Sequence, residues 1–273
     1  MTDYTQKLGI IAGGGSLPMA LVEQCKKQNR PFCVLALKGH ADPDLFPTDI
    51  PIKWIRLGAV GKGFAEMKKQ GVTEMVLIGG VHRPSLTELC PDWRGLKFFA
   101  KIGFKALGDD GLLRAVINEI ERSGFKVVGI DDIMPSLLAP KGVLGVCEPS
   151  KADRVDIIRG IEVAKLLGRA DVGQAVIVQQ GLVLSVEGIE GTANLIKRTK
   201  ELKRSGGGGV LVKVSKPQQE RRVDLPTIGI ETVRDIKEAG FRGIAVEAGS
   251  VLIADCEQTM RLADKLGIFI VGV

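Results

Sequence analysis

The sequence has few aromatic residues, only two histidines and no paired-cysteine motif. Phe, Trp and Tyr make up 4% of the 273 residues, too few for the stacking platforms of single-stranded nucleic-acid recognition, so we expect no nucleic-acid partner. With His40 and His82 as the only histidines, a histidine-rich metal site is excluded and a catalytic triad is disfavoured. The five cysteines are scattered without a CxxC pair, which argues against a disulfide framework and indicates a reducing compartment.

Long uncharged runs are also missing. Residues 172–186 carry no charge, but this stretch is shorter than the roughly 20 residues that a membrane-spanning helix needs. The start of the chain lacks the basic, apolar and small-residue segments of a signal peptide. The net charge is only +6. We therefore expect a soluble, cytoplasmic protein that meets the inner membrane at most at its surface.

The residues that are present are typical of an α/β protein. Apolar residues make up 45% of the chain and 35 residues are glycine, as expected for buried strands joined to helices by tight turns. Short apolar runs alternate with helical patterns through residues 7–130, which predicts a doubly wound, Rossmann-like parallel sheet. Further on, Gln180-Gly181 separates two strand-like runs. This pattern predicts a hairpin, and hence a mixed sheet in the second half.

The boundary between the two halves is predicted from proline content. Three prolines lie in residues 131–149, a stretch without clean periodicity, and such stretches commonly separate domains. We expect an N-terminal Rossmann-like domain over residues 1–135 and a C-terminal catalytic α/β domain over residues 136–273.

Glycine-rich turns follow two predicted strands of the first domain. A glycine turn that opens a helix presents backbone N–H groups and the positive end of the helix dipole to a phosphate. Pro18 stands where a dinucleotide fingerprint has its third glycine, and Lys38 where it has an acidic residue, so NAD binding is disfavoured. The alternative is that the glycines only make room for the backbone. The residues assigned here to substrate binding are Gly13, Gly14, Gly15, Ser16, Gly79, Gly80 and Arg83.

A metal, if one is used, must be a hard ion held by carboxylates and substrate phosphates, which means Mg²⁺ with Mn²⁺ as the alternative. In segment 187–192, Glu187 ends a predicted strand and Glu190 follows it. We predict Glu190 as a metal ligand. Glu187, Gly188 and Thr192 are predicted to bind substrate, while the alternative for Thr192 is to cap the next helix.

The densest polar segment is residues 213–227. It combines lysines, arginines and a carboxylate, and phosphate chemistry needs cations together with a carboxylate that holds a metal or orients water. Asp224 lies between apolar residues, an unusual place for a solubilising charge. We predict Asp224 as the catalytic residue and a metal ligand; the alternative is a solvated charged loop. The predicted substrate-binding residues of this segment are Lys213, Lys216, Arg222 and Thr227.

A second basic run occupies residues 197–204. Such a run is usually a solvated helix face, but basic residues near a membrane also attract anionic lipid headgroups. On the second interpretation, we predict transient contact with the inner-membrane surface.

Five segments resemble, in order along nearly the whole chain, the LpxI-type UDP-2,3-diacylglucosamine pyrophosphatases of lipid A synthesis. They are residues 9–18, 79–86, 108–113, 187–192 and 216–229. The resemblance implies two α/β domains with a lipid-linked nucleotide held between them. It also implies Mg²⁺-dependent hydrolysis of UDP-2,3-diacylglucosamine to UMP and 2,3-diacylglucosamine 1-phosphate (lipid X), with water attacking the α-phosphorus. The family's essential aspartate falls on Asp224.

The chain departs from this family's pattern at three positions. Ala193 stands where an aspartate is expected, so any metal or ribose role at that position is lost or has moved. Glu220 and Val223 replace the usual Asp and Phe. A sugar-nucleotide transferase and a non-catalytic lipid- or nucleotide-binding protein are the alternatives to a hydrolase. The sequence leaves the oligomeric state open, a homodimer included.

Overall fold

The computed structural model describes residues 6–81 and 109–273 of the chain. The chain divides into two compact units. The N-terminal unit falls within Met1–Pro135 and also includes the short segment Glu220–Val223; the C-terminal unit comprises Ser136–Gln219 and Asp224–Val273. The chain therefore leaves the C-terminal unit after Gln219 and returns to it at Asp224.

The N-terminal unit alternates strands with helices. Its strands are β1 (Lys7–Ala12), β2 (Phe32–Leu37), β3 (Ile52–Ile55), β4 (Val72–Ile78) and β5 (Lys126–Val127). Its helices are α1 (Leu17–Lys27), α2 (Val60–Lys69), α3 (Asp109–Arg122) and the short α4 (Ile130–Ile133). The strand order is β3-β2-β1-β4-β5 and all pairs are parallel. The predicted doubly wound parallel sheet is confirmed.

Strands β1 and β4 lie side by side at the centre of this sheet, although they are not consecutive in the chain. The strand order reverses between them, and open α/β sheets bind ligands at the carboxyl ends of strands at such a point. The glycine turns that follow β1 and β4 are therefore neighbours in space. Sheet topology, rather than sequence proximity, brings the two predicted phosphate loops together.

The strand predicted over residues 126–130 is shorter than expected. Only Lys126–Val127 pairs with β4, and the chain then enters α4, where the Asp132 carboxylate accepts a hydrogen bond from Gly129 N over 3.0 Å. The stretch predicted to be irregular contains a further strand, β6 (Gly142–Leu144). Local periodicity misses β6 because this strand exists only by pairing with the C-terminal strand of the chain.

The C-terminal unit contains a six-stranded mixed sheet. Its other strands are β7 (Ala175–Gln179), β8 (Leu182–Val186), β9 (Val210–Lys213), β11 (Gly243–Val246) and β13 (Phe269–Gly272), and a separate parallel pair is formed by β10 (Thr227–Ile228) and β12 (Leu252–Ile253). Its helices are α5 (Lys151–Arg169), α6 (Gly191–Thr199), α7 (Ile230–Ala239) and α8 (Cys256–Leu266). The strand order is β6-β13-β11-β9-β7-β8. The β7–β8 hairpin and the mixed sheet are confirmed.

One edge of this sheet collects the ends of four strands. Strands β9 and β11 are parallel, and β8 runs in the same direction because β7 is antiparallel to both β8 and β9. The carboxyl ends of β8, β9 and β11 therefore lie along the same side of the sheet as the amino end of β7, and this side is the edge meant here. Four residues occupy it: the last residue of β9, the residues that follow β8 and β11, and the residue that precedes β7. These residues are Glu187, Glu247, Lys213 and Gln174.

Alkaline pH is expected to destabilise the N-terminal unit through Cys25, which is fully buried in α1. Burial raises the pKa of the Cys25 thiol from 9.0 to about 11, and nearby Arg30 opposes this shift. Because the folded-state pKa is raised, the contribution to the free energy of unfolding is fully present below pH 9 and is lost as pH rises towards 11. We expect a loss of about 2–3 kcal/mol.

Urea unfolding at pH 8 and pH 11 measures this loss, and Cys25→Ala is the matched control. The difference in pH dependence between the two proteins isolates Cys25 from other groups that titrate in the same range. An identical alkaline loss in wild type and Cys25→Ala would contradict the assignment.

Candidate functional site

A buried lysine stands at the centre of the C-terminal sheet edge. Lys213, the last residue of β9, is 7% exposed, and its Nζ donates to Thr192 Oγ1 over 3.0 Å and to the Thr227 carbonyl over 2.9 Å. Burial lowers the pKa of the Lys213 ammonium, while the negative charges of Glu187 and Asp224 act in the opposite direction. Lys213 is thus a buried amine held by two hydrogen bonds, with two carboxylates close enough to favour its charged form.

Glu187 and Thr192 continue the hydrogen-bonded chain from this lysine. Thr192 Oγ1 donates to Glu187 Oε1 over 2.6 Å, and Gln174 N donates to Glu187 Oε2 over 3.0 Å. Thr192 lies inside α6, whose N-cap position is occupied by Glu190, so the capping alternative for Thr192 is wrong. The side chain of Glu187 is buried with both oxygens engaged, and its negative charge favours the charged form of Lys213.

Asp224 stands next to this cluster and is held by a glutamine. Gln219 Nε2 donates to Asp224 Oδ2 over 2.8 Å. Asp224 is partly exposed, and within residues 6–81 and 109–273 no hydrogen bond reaches its Oδ1. Asp224 therefore presents one carboxylate oxygen that the protein itself does not use.

Gln219, Ser215 and Glu247 also belong to this cluster, although the sequence assigned no role to them. Gln219 Oε1 accepts hydrogen bonds from Ser215 Oγ and Lys216 N, both over 3.1 Å. Glu247 Oε2 accepts from Ser215 N over 3.0 Å. Gln219 and Ser215 are uncharged, and Glu247 lies outside the charge-rich loop, so neither charge density nor motif spacing singles them out.

Other predicted residues are engaged elsewhere. Glu190 Oε1 accepts from Arg198 Nε and Nη2 over 3.0 and 2.7 Å, and Lys216 Nζ donates to Asp171 over 2.8 Å. Gly188 lies in the Glu190 loop, where an added Cβ would meet Glu190 Oε2 at 2.8 Å. Metal ligation by Glu190 and phosphate contact by Lys216 therefore stay predictions, and each would compete with an existing ion pair.

Arg222 belongs to the segment that clusters with the N-terminal unit. Its guanidinium donates to Glu220 over 2.9 and 3.0 Å and to Glu121 over 2.7 Å. These hydrogen bonds and charges raise the pKa of Arg222 further above its usual range. Thr227 contacts Lys213 through its backbone carbonyl, whereas its hydroxyl donates to the Leu225 carbonyl.

The two glycine turns of the N-terminal unit bond to each other. Gly14 N donates to the Gly80 carbonyl over 2.8 Å, Gly80 N donates to the Gly14 carbonyl over 2.9 Å, and Gly13 N donates to the Ile78 carbonyl over 2.8 Å. Phosphate binding through these three amides would need these bonds to open. Gly79 adopts a φ of +94°, and Gly15 and Ser16 lead into α1. His82 and Arg83 lie outside the described residues.

Gly13→Ala tests whether glycine provides room at this crossing. An added Cβ would meet the carbonyl oxygens of Gly80 and Gly79 at 2.6 and 2.8 Å. Because both neighbours are backbone atoms, we expect a loss of about 1–3 kcal/mol in the free energy of unfolding, measured in urea. Gly80→Ala is the control, since nothing lies within 4 Å of its added Cβ. Equal losses in the two variants would contradict the steric explanation.

The carboxylates of this edge suit a hard cation that takes only one or two ligands from the protein. Among the described residues, no group of three or more His, Cys, Asp and Glu side chains is placed to hold a metal. Mg²⁺, however, commonly keeps several waters and binds through one or two carboxylates together with substrate phosphates. Asp224 fits that use through its unengaged Oδ1, whereas both oxygens of Glu187 are occupied.

In residues 6–81 and 109–273, no helix is long and apolar enough to cross a membrane.

Comparison with known proteins covers both halves of the chain. Residues 7–137 match the family model described as the LpxI N-terminal domain, and residues 140–271 match the one described as the LpxI C-terminal domain. A curated protein of Caulobacter vibrioides, named UDP-2,3-diacylglucosamine pyrophosphatase LpxI, is 41% identical over 275 aligned residues. The alignment covers 98% of each chain.

Proposed function

Because the chain belongs to the LpxI family, we propose that it hydrolyses UDP-2,3-diacylglucosamine to UMP and lipid X, a step of lipid A biosynthesis. The similar protein from Caulobacter vibrioides carries the name of this activity. The observation that supports the proposal most directly is the edge of the C-terminal sheet, where Asp224 stands near the buried Lys213 and, together with Glu187, favours the charged form of this lysine. A carboxylate next to a fixed cation matches the needs of pyrophosphate hydrolysis.

The proposed reaction adds water to the α-phosphorus. The oxygen of water forms a bond to that phosphorus, while the bond from the phosphorus to the bridging oxygen breaks. UMP keeps the new oxygen, and the bridging oxygen leaves on the phosphate of lipid X. The proton lost by water passes to a base, and Asp224 Oδ1 is the carboxylate oxygen of the site that no described group engages.

Asp224 has two roles in this proposal. Its Oδ1 would orient the attacking water, and the same carboxylate would hold Mg²⁺, with Mn²⁺ as a substitute. When bound, this cation supplies Lewis-acid stabilisation of the phosphate charge. The hydrogen bond from Gln219 to Oδ2 keeps the carboxylate in one orientation.

Lys213 acts through its position and charge. Its Nζ already donates to Thr192 and Thr227, and its side chain is buried. A preorganised cation in a water-poor site offsets charge that develops on a reacting phosphate at no reorganisation cost. Glu187 orients Thr192, which accepts a hydrogen bond from this ammonium, so their role in the proposal is to hold Lys213 near Asp224.

An assay with UDP-2,3-diacylglucosamine in ¹⁸O-labelled water tests the reaction. We expect UMP and lipid X as products, turnover that stops when EDTA removes divalent cations, and label in UMP. Label in lipid X would contradict attack at the α-phosphorus. UMP release that requires an added acceptor would indicate a transferase, and zero turnover with and without Mg²⁺ would indicate a binding protein.

Membrane contact is a separate part of the proposal. Residues 197–204 are exposed except Thr199 and carry an excess of basic side chains. Such residues attract anionic headgroups, at about 1 kcal/mol per Lys or Arg near the surface. Cytoplasmic location, transient contact with the inner-membrane surface and a homodimer stay predictions.

A further inference from the structure

The orientation of the Asp224 carboxylate depends on a side chain rather than on regular structure. Asp224 stands outside any helix or strand, at the point where the chain returns to the C-terminal unit. Gln219 is the last residue before the chain leaves that unit, and it is 8% exposed. The hydrogen bond from Gln219 Nε2 to Asp224 Oδ2, 2.8 Å long, joins these two points.

A backbone group determines which way the Gln219 amide faces. The N–H of Lys216 can only donate, and it lies 3.1 Å from Gln219 Oε1, so this atom must be the carbonyl oxygen. The NH₂ group therefore faces Asp224. With the opposite orientation, the amide would direct NH₂ at a donor and a carbonyl oxygen at a carboxylate. Gln219 is thus a donor to Asp224 whatever the pH.

The groups that hold Gln219 are themselves attached to the sheet edge. Gln219 Nε2 also donates to Gln174 Oε1 over 3.3 Å, and Gln174 N donates to Glu187. Ser215 donates its hydroxyl to Gln219 Oε1 and its N–H to Glu247. The glutamine therefore connects Asp224 to the ends of strands β7, β8, β9 and β11, which belong to one hydrogen-bonded sheet.

We propose that Gln219 is a positioning residue of the reaction: it holds Asp224 by Oδ2 and so leaves Oδ1 for the attacking water or the metal ion. This inference rests on the proposed function. A glutamine suits the role because a neutral donor orients the carboxylate without neutralising its charge. An arginine or lysine at the same place would pair with the carboxylate and compete with a cation for it.

A double-mutant cycle between Gln219 and Asp224 tests the proposal on the full-length protein. Gln219→Ala is expected to lower kcat for UDP-2,3-diacylglucosamine by about 10–100-fold while KM stays within about threefold. In the Asp224→Asn background, the same substitution is expected to change residual kcat by no more than about twofold, since Gln219 acts through Asp224. Gln219→Glu keeps the side-chain size but places a second carboxylate opposite that of Asp224, where the two repel. We expect it to lower kcat at least as much as Gln219→Ala does.

Gln218→Ala is the matched control, because this neighbouring glutamine donates to the Gly168 carbonyl over 2.7 Å and not to Asp224. Wild-type kcat in Gln219→Ala or Gln219→Glu would overturn the inference. Equal fold-losses from Gln219→Ala in the wild-type and Asp224→Asn backgrounds, or an equal kcat loss in Gln218→Ala, would also overturn it.

Urea unfolding of wild type, Gln219→Ala, Asp224→Ala and the double variant measures the contact without any turnover, because alanine at position 224 cannot accept the hydrogen bond from Gln219. We expect the midpoint losses of Gln219→Ala and Asp224→Ala to be non-additive, and additive losses would overturn the contact itself. Wild-type protein without hydrolytic activity would defeat the proposed function but leave this unfolding result intact. If the wild-type protein hydrolyses the substrate and the Gln219 variants keep the wild-type kcat, only the positioning role of Gln219 is contradicted.

Discussion

Asp224→Asn is expected to lower kcat for UDP-2,3-diacylglucosamine by about 10²–10⁴-fold, the range typical for loss of a general base. The substitution keeps the size of the side chain, and the asparagine carbonyl can still accept the hydrogen bond from Gln219 Nε2. The negative charge and the second carboxylate oxygen are lost, so water activation and cation binding are lost together. Steady-state kinetics at saturating Mg²⁺ measure the effect, and circular dichroism checks that the fold is kept.

Glu257→Gln is the matched control for this substitution. Glu257 lies on α8 of the same unit, its side chain is 77% exposed, and it pairs with Arg261. The control removes one negative charge from the C-terminal unit without touching the sheet edge, so its kcat is expected to stay at the wild-type value. Normal turnover in Asp224→Asn would rule out Asp224 as the catalytic carboxylate.

Glu74→Ala is expected to destabilise the N-terminal unit by about 3–5 kcal/mol, because it removes one partner of a buried ion pair. Arg30 Nη2 and Glu74 Oε2 are 2.6 Å apart, with side chains 4% and 11% exposed. Glu74 also accepts from Lys126 Nζ over 2.9 Å. Without the Glu74 carboxylate, the guanidinium stays buried but loses this charge partner, so less of the cost of its desolvation is offset. The free energy of unfolding in urea at neutral pH measures the loss.

Lys126→Met provides the comparison for Glu74→Ala. The side chain of Lys126 is 72% exposed, so water replaces much of what its ammonium loses, and we expect a change of about 0–1 kcal/mol. A loss below about 1 kcal/mol in Glu74→Ala would show that the buried pair contributes no more than an exposed one. Both variants leave the C-terminal sheet edge untouched.

Local sequence patterns are sufficient for much of the fold. Alternating apolar runs and helical patterns predict the parallel sheet of the N-terminal unit, and Gln180-Gly181 predicts the β7–β8 hairpin. The alternation of strands and helices is visible within each element, and the hairpin joins two strands that are adjacent in the chain. Strands β6 and β10 escape prediction because each is stabilised only by pairing with a strand distant in sequence.

The same distinction applies to the site. The density of charge in residues 213–227 draws attention to Asp224 and Lys213, but it does not separate them from Arg222 and Lys216. The structure separates them through distant partners, since Arg222 pairs with Glu121 and Lys216 with Asp171. Gln219 was missed because an uncharged side chain in a charged loop carries no signal until its partners are known.

The sequence by itself determined the α/β class and the segments in which charged side chains and glycines are concentrated. These follow from composition and from periodicity within single elements. Only the tertiary structure decided that Glu187, Thr192 and Lys213 form one hydrogen-bonded chain and that the Gly14 and Gly80 amides bond to each other. The physical reason is that strand order determines which chain ends become neighbours, and strand order results from packing of the whole sheet.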